Sequence, residues 1–243
     1  MKAMILCAGR GTRLLDHARD LPKPMLDVGG VPLLQHIIGH LAKHGFRDLI
    51  VNLHYLGDHI VNHFGNGSRL GVRITYSFEQ ELLGTAGALK KVESLLRDGP
   101  FLVQYGDILS DHDFTAMAES HAQSGAEATL LLHQRAKSNS FVTMDSERRV
   151  TRFLERPAVT PAPGREPHWV FSGACVLEPS VLGEIPSGRP SDLPAEVFQG
   201  LVARGVVRGF PLTGFRCAVD SPERLSQARQ AVQERPWTPL TRA

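Results

Sequence analysis

The sequence predicts an α/β fold with a mainly parallel sheet and helices on both faces, and three observations carry that prediction. Short apolar runs alternate with segments of helical periodicity between residues 3 and 105, the pattern of parallel strands joined by crossover helices. Two glycine-rich segments, residues 9–11 and 84–87, follow strand-like stretches and precede helical ones. At 243 residues the chain is long enough to bury one large core, so a single domain with insertions is expected over two independent ones.

The elements follow in order. Ala3, Met4, Ile5 and Leu6 form a buried strand that empties into the turn carrying Gly9 and Gly11. Gly29 and Gly30 then turn the chain so that Pro32 falls in the first turn of a helix. Leu33, Leu34, Ile37, Ile38 and Leu41 recur in it at helical spacing, and Gly45 closes it. Residues 49–53 form a short buried strand, 56–64 a second helix, and 65–68 its glycine-rich end. Residues 72–76 alternate as a strand. The helix opened by residues 84–87 carries Leu89, Val92, Leu95 and Leu96, and residues 101–105 form a further buried strand that ends at Gly106 and Asp107. From residue 126 strands dominate, at 128–132, 141–144, 150–155 and 169–177, interrupted by a proline-rich surface loop at 157–167. Helices at 193–203 and 222–233 close the fold, and the tail after Pro236 is expected to be peripheral. No hexapeptide repeat follows, so no left-handed β-helix domain is expected.

A net charge of +2, without a basic run or a basic stripe with interleaved aromatics, argues against a nucleic-acid partner. Cys7, Cys175 and Cys217 are odd in number and far apart among apolar neighbours, which suits buried free thiols in a reducing compartment. No apolar stretch is long enough for a membrane span, and the N-terminus runs straight into a strand. A cytoplasmic protein with no membrane partner is expected.

In parallel α/β sheets ligands bind beyond the carboxyl ends of the strands, where residues 9–13 and Asp107 are expected. Gly9 and Gly11 let the backbone approach a ligand and adopt positive φ, so that successive N–H groups point at anionic oxygens. Arg13 can grip a phosphate with its planar fork, and Lys23, stiffened by Pro22 and Pro24, supplies a compact charge. This crowding suits a polyphosphate; the alternative is an ordinary turn with solvated cations. Asp107 can hold Mg²⁺ on a phosphate or serve as a turn residue. Asp220, between a strand and a helix, is either a second metal ligand or a helix cap, as Ser221 before Pro222 also could be. Glu155 offers a carboxylate for hydroxyls beside the cation of Arg156, and Gly173 marks a close backbone approach inside a strand; a surface turn and a packing glycine are the alternatives. His36, His40 and His44, and then His59 and His63, repeat at i, i+4, but without an H-E-x-x-H pattern they read as solvated helix faces, not zinc ligands. Ser172 and Ser221 lack a nucleophile-elbow setting.

With these pieces in order the chain resembles the sugar-1-phosphate nucleotidylyltransferases over nearly its whole length. Their L-x-A-G-x-G-T-R-L pattern is present as residues 6–14, P-K-P as 22–24, G-T-A-G as 84–87, G-D as Gly106 and Asp107, and E-K-P as 155–157. The resemblance implies a Rossmann-like nucleotidyltransferase fold, a three-layer α/β/α arrangement around a mainly parallel mixed sheet. Residues 1–125 would form a nucleotide-binding half and residues 126–235 a sugar-phosphate half of one domain. It implies transfer of a nucleotidyl group from a nucleoside triphosphate to a sugar 1-phosphate, with Mg²⁺ held by Asp107 and Asp220. Arg13 and Lys23 would neutralise the developing charge beside Asp107. Leu6, Ala8, Gly9, Gly11, Thr12, Arg13, Glu79, Glu81, Gly84 and Thr85 would bind the nucleotide; Tyr105, Gly106, Glu155, Arg156 and Gly173 would face the sugar phosphate. The resemblance leaves room for a homo-oligomer.

The chain departs from the family pattern in places. Arg156 stands where E-K-P has lysine, Asp16 and Ala18 replace a customary proline and threonine, and Ala218 falls where the W-x-D-x-G-T-P ending has its aspartate. Asp220 instead resembles the M-D-T ending of the cytidylyltransferase branch. Glu79 and Glu81 look like the mannose- and heptose-1-phosphate guanylyltransferases, since a carboxylate accepts from the N1 and N2 groups of guanine. Uridylyl or cytidylyl transfer, as in the N-acetylmuramate and glucose 1-phosphate branches, and a non-catalytic regulatory homologue are the alternatives. A dinucleotide oxidoreductase would want a third glycine and an acidic end to the second strand, where Asn52 and His54 stand.

Overall fold

The computed structural model describes residues 1–9, 21–135, 140–155 and 168–235. It is a mixed, mostly parallel α/β fold, as the sequence predicts. The chain divides into two compact units, each assembled from separated segments: residues 1–82, 104–114 and 213–243 form one, residues 83–103 and 115–212 the other. The strand Phe101–Tyr105 is shared, its first three residues in the second unit and its last two in the first.

In the first unit the strands Lys2–Leu6, Asp48–Leu53 and Arg73–Phe78 lie parallel, in the order written. Ala3, Met4, Ile5, Val51 and Leu53 are fully buried, which is why these strands read as continuous apolar runs instead of alternating ones. The helices Leu33–Lys43 and Gly57–Phe64 are the crossovers. Pro32 is the residue before the first helix, paired as Val31–Pro32 with Asp27–Val28, and not a member of its first turn. A small antiparallel pair, Ile108–Ser110 with Arg216–Ala218, and the helix Pro222–Glu234 complete this unit.

The second unit is largely antiparallel. His168–Leu177 pairs with Ala128–Arg135 and with Ser140–Met144, and Val150–Glu155 with Ser140–Met144. Val207–Pro211 adds parallel to Ala128–Arg135. Phe153, Phe171 and Phe198 meet edge to face, 5.3–6.4 Å between ring centres, over this sheet. The helix expected at residues 193–203 begins as the π-helix Leu193–Val197 and continues as Phe198–Ala203. The segment opened by residues 84–87 breaks into Gly84–Lys91 and Glu93–Leu96. Cys7, Cys175 and Cys217 are free and buried, as expected.

His59 is exposed, as the sequence reading expects, but the histidines at 36, 40 and 44 correct that reading. His36 is 3% exposed and donates to the Val28 carbonyl at 2.7 Å, and His40 donates to the His112 carbonyl at 2.7 Å. His40 and His44 also pack against Phe114. The helix Leu33–Lys43 buries residues around most of its circumference, so it has little solvated face for imidazoles to occupy. Burial holds His36, His44 and His112 below the ordinary imidazole value and His40 down at about 4, against opposing pulls from Asp27, Asp111 and Asp113. The folded chain therefore binds fewer protons than the unfolded chain below pH 6.5, and stability falls as the pH drops from 7 towards 4. His40 alone accounts for a loss of order 2–3 kcal/mol by pH 4.5. His40→Gln, which can still donate to the His112 carbonyl, is expected to lose about 5–10 °C less of its melting midpoint than the wild type between pH 7.5 and 4.5, as read by circular dichroism.

Candidate active site

In the first unit the strand Lys2–Leu6 runs out into Cys7, Ala8 and Gly9. The Cys7 N–H donates to Asn52 Oδ1 at 2.8 Å, and Asn52 Nδ2 donates to Glu79 Oε1 at 2.7 Å. Gly9 is exposed, a Cβ there would meet nothing within 4 Å, and its φ is not in the left-handed region. The expectation of positive φ is thus corrected at Gly9: its small size leaves open approach above the backbone without an unusual conformation.

Gly106 explains how a carboxylate reaches this turn. Its N–H donates to the Leu6 carbonyl at 2.9 Å, and a Cβ in its place would meet the Cys7 sulfur at 2.5 Å and the Leu6 oxygen at 2.8 Å. Only glycine permits that approach. Half-buried Tyr105 precedes it, and the Gln104 side chain braces the turn by donating to the carbonyls of Tyr105 and Ile108 at 3.1 and 3.2 Å. Asp107 follows. Lys23, in the short 3-10 turn Lys23–Met25, donates to Asp107 Oδ2 at 2.6 Å; the two side chains are 12% and 34% exposed. Burial, and the charge of Asp107 nearby, push the Cys7 thiol far up, which makes it a packing group and not a nucleophile.

The two aspartates come from distant parts of the sequence to neighbouring backbone positions. Ala218 faces Ile108 in the antiparallel pair, and the Val219 N–H donates to the Asp107 carbonyl at 2.8 Å. Asp220 is the next residue. The cap of the helix Pro222–Glu234 is Ser221, whose hydroxyl accepts from the Arg224 N–H at 3.3 Å, so Asp220 does not cap it. Its carboxylate instead meets Arg224 Nε at 3.3 Å. Two partly exposed carboxylates, each facing a cation, are hard donors of the kind Mg²⁺ takes alongside phosphate oxygens and water, and the residues fit that ion. Among the described residues no group of three or more His, Cys, Asp or Glu is gathered for a metal.

Glu79 is 5% exposed, and its backbone is pinned by its N–H to the Leu53 carbonyl at 2.7 Å and by His54 Nδ1 to its own carbonyl at 2.9 Å. Glu81 is exposed.

In the second unit Gly84 has φ +73° and opens the helix Gly84–Lys91 against Ser191. The Ser191 carbonyl accepts from the N–H groups of Ala86 and Gly87 at 3.0 and 3.3 Å, and the Ser191 N–H returns to the Leu83 carbonyl at 2.9 Å. Thr85 donates to Asp192 Oδ2 at 3.0 Å and accepts from the Leu193 N–H at 2.7 Å. The G-T-A-G segment is therefore built to hold the start of the 193–203 helix, a role that sequence spacing did not reveal. Glu155 ends its strand opposite Ser140, half-buried. Gly173 is buried with φ +83° at a register break between Phe171 and Cys175, the mark of a bulge. Gly11, Thr12, Arg13 and Arg156 lie outside the described residues.

A glycine-bearing turn at the end of a parallel strand, with Lys23, Asp107 and the segment of Asp220 brought beside it, belongs to an α/β protein of the kind that suits a phosphate-bearing ligand. Residues 2–215 match the nucleotidyl transferase family model, and the chain belongs to that family. It is 36% identical over 221 residues to the UTP–glucose-1-phosphate uridylyltransferase of Synechocystis sp., covering 85% of this chain and 56% of the relative. It is 33% identical over 229 residues to the mannose-1-phosphate guanyltransferase of Yarrowia lipolytica, covering 92% of this chain and 61% of the relative. The chain thus spans under two thirds of the length of each of these relatives. In fold it is similar to a Bacillus anthracis protein assigned as a glucose-1-phosphate thymidylyltransferase, solved with sucrose, at a TM-score of 0.86 and 22% identity over 99% of this chain and 98% of that one.

Proposed function

We propose that this chain is a sugar-1-phosphate nucleotidylyltransferase, joining a nucleoside triphosphate to a sugar 1-phosphate with release of pyrophosphate. The observation that carries the reading is the meeting of Lys23, Asp107 and the segment that bears Asp220 beside the glycine-rich turn. A phosphate oxygen of the sugar phosphate attacks the α-phosphorus as the bond to pyrophosphate breaks. Lys23, and Arg13 with it, stabilise the negative charge that spreads over the phosphoryl oxygens. Asp107 and Asp220 would hold Mg²⁺, which supplies charge neutralisation on the phosphates when bound. Asp107 orients the Lys23 ammonium before substrate enters, and the prolines on either side of Lys23 limit the backbone freedom of the turn that carries it.

The base is proposed as guanine and the sugar as mannose or heptose. A fixed carboxylate at Glu79 suits the adjacent donors of guanine, and one relative is named for guanylyl transfer. Leu6, Ala8, Gly9, Gly11, Thr12, Glu81, Gly84 and Thr85 share the nucleotide role in this reading, and Tyr105, Gly106, Glu155, Arg156 and Gly173 the sugar-phosphate role. Uridylyl transfer is the second reading, favoured by the relative of higher identity. No described helix is long and apolar enough to cross a membrane, and the reaction as proposed belongs in the cytoplasm.

Pyrophosphate release should be measured with GTP, UTP, CTP, dTTP and ATP against a panel of sugar 1-phosphates. Turnover is expected to be highest with GTP and mannose or heptose 1-phosphate; a preference for UTP selects the second reading. Triphosphate binding without turnover for any pair would mean a non-catalytic sensor. Asp220→Asn is expected to cut turnover by roughly 100-fold or more, and full activity in that variant would remove Asp220 from the metal site.

A further inference from the structure

Asn52 occupies the central one of three parallel strands, between the strand that feeds the glycine-rich turn and the strand that feeds Glu79. It pairs with Leu6 on one side and Ser77 on the other. Its side chain, 3% exposed, reaches both neighbours: Oδ1 accepts from the Cys7 N–H at 2.8 Å and Nδ2 donates to Glu79 Oε1 at 2.7 Å. Both contacts are buried, so each would be costly to leave half-made.

The chemistry of these two contacts demands an amide. One end of the side chain must accept and the other must donate, at the length of a single methylene. Aspartate keeps the acceptor and loses the donor, and would set a second carboxylate against Glu79. Leucine matches the shape and loses both bonds, leaving the Cys7 N–H and the Glu79 carboxylate without them.

We propose that Asn52 is a positioning residue that couples nucleotide-base selection to the phosphate-binding turn, by fixing the Glu79 carboxylate and the Cys7 backbone with one side chain. This rests on the nucleotidyl-transfer reading above. With its backbone held at Leu53 and His54 and one carboxylate oxygen held by Asn52, Glu79 presents its charge in one orientation. A purine carrying adjacent ring N–H and exocyclic amino donors is the ligand edge that such a fixed carboxylate discriminates best. The same amide holds the first N–H after Leu6, so an error at the base end is felt at the turn that grips the phosphates.

The test is calorimetric binding of GTP, UTP, CTP, dTTP and ATP, each with Mg²⁺, to the wild type, Asn52→Leu, Asn52→Asp, Glu79→Gln and the double variant Asn52→Asp/Glu79→Gln. Circular dichroism melts accompany each protein. Asn52→Leu is expected to weaken the preferred triphosphate at least tenfold and to shrink the preference over the other four by a similar factor. A residue that merely supported the fold would lower all five affinities alike. Asn52→Asp is expected to lose at least tenfold. The double variant should recover to within about threefold of Glu79→Gln alone. In it the amide introduced at position 79 donates to one oxygen of the carboxylate introduced at position 52, whose other oxygen still accepts from the Cys7 N–H. Recovery is measured in a protein that has regained its own hydrogen bonds, so it is informative even if a single variant folds poorly. A wild type that binds none of the five overturns the functional reading and this inference together. Binding by the wild type with unchanged affinity and preference in Asn52→Leu, or a double variant that binds more than tenfold more weakly than Glu79→Gln alone, overturns the inference alone.

Discussion

Asp107→Asn is expected to lower nucleotidyl transfer on the order of 10³-fold while leaving the fold in place. The two halves of that expectation come from different parts of the geometry. The position of residue 107 is set by backbone: Gly106 is hydrogen-bonded to the Leu6 carbonyl and the Asp107 carbonyl accepts from Val219. Neither bond uses the carboxylate. Asparagine can also still accept from Lys23, so the loss of the 2.6 Å ion pair, one partner of which is a third exposed, should cost at most about 1 kcal/mol and shift the melting midpoint by no more than about 4 °C. Charge is what disappears. A neutral amide is a far weaker partner for a divalent ion, and it no longer holds Lys23 as a counter-ion in the place where phosphate charge develops. Pyrophosphate release and a thermal melt on the same preparation check both halves. Turnover above a tenth of wild type would remove Asp107 from the chemistry, and a collapsed melt would make it structural.

Much of this was legible in the sequence because it is local. Strands buried on both faces read as apolar runs, and crossover helices as periodic segments between them. The glycine turn and Asp107 stand where strands end, so their placement at the carboxyl edge followed from the fold class. What was not legible depends on register between distant segments. Whether Asp220 could approach Asp107 rests on Ala218 facing Ile108, and no local pattern encodes that pairing. Asn52 is a polar residue inside an apolar run, a signal present in the sequence, but its meaning needs both neighbouring strands to be known. His36 and His40 misled because i, i+4 spacing defines a shared face without saying whether that face meets solvent or core.

The glycines of the two motifs are expected to fail differently when substituted. Gly84→Ala should destabilise the chain by about 3 kcal/mol or more, whereas Gly9→Ala should leave stability almost unchanged. At Gly84 the backbone sits at φ +73°, which costs a non-glycine residue roughly 1–2 kcal/mol. The added methyl would also stand against the Ser191 carbonyl oxygen, with the Ser191 carbonyl carbon 3.0 Å away. Backbone cannot rotate aside as a side chain does, so the segment must shift, and the bonds from Ala86 and Gly87 to that carbonyl weaken with it. In a chain of this size the midpoint should fall by about 6–12 °C. At Gly9 a methyl meets nothing within 4 Å and no unusual φ is required, so the expected change is under about 2 °C. If the backbone there is left open for a phosphate, the methyl takes up that space, and triphosphate affinity should drop several-fold in a protein that melts normally. A Gly84→Ala variant with wild-type stability would contradict the packing role assigned to G-T-A-G, and a Gly9→Ala variant with wild-type affinity would take the close backbone approach away from the first turn.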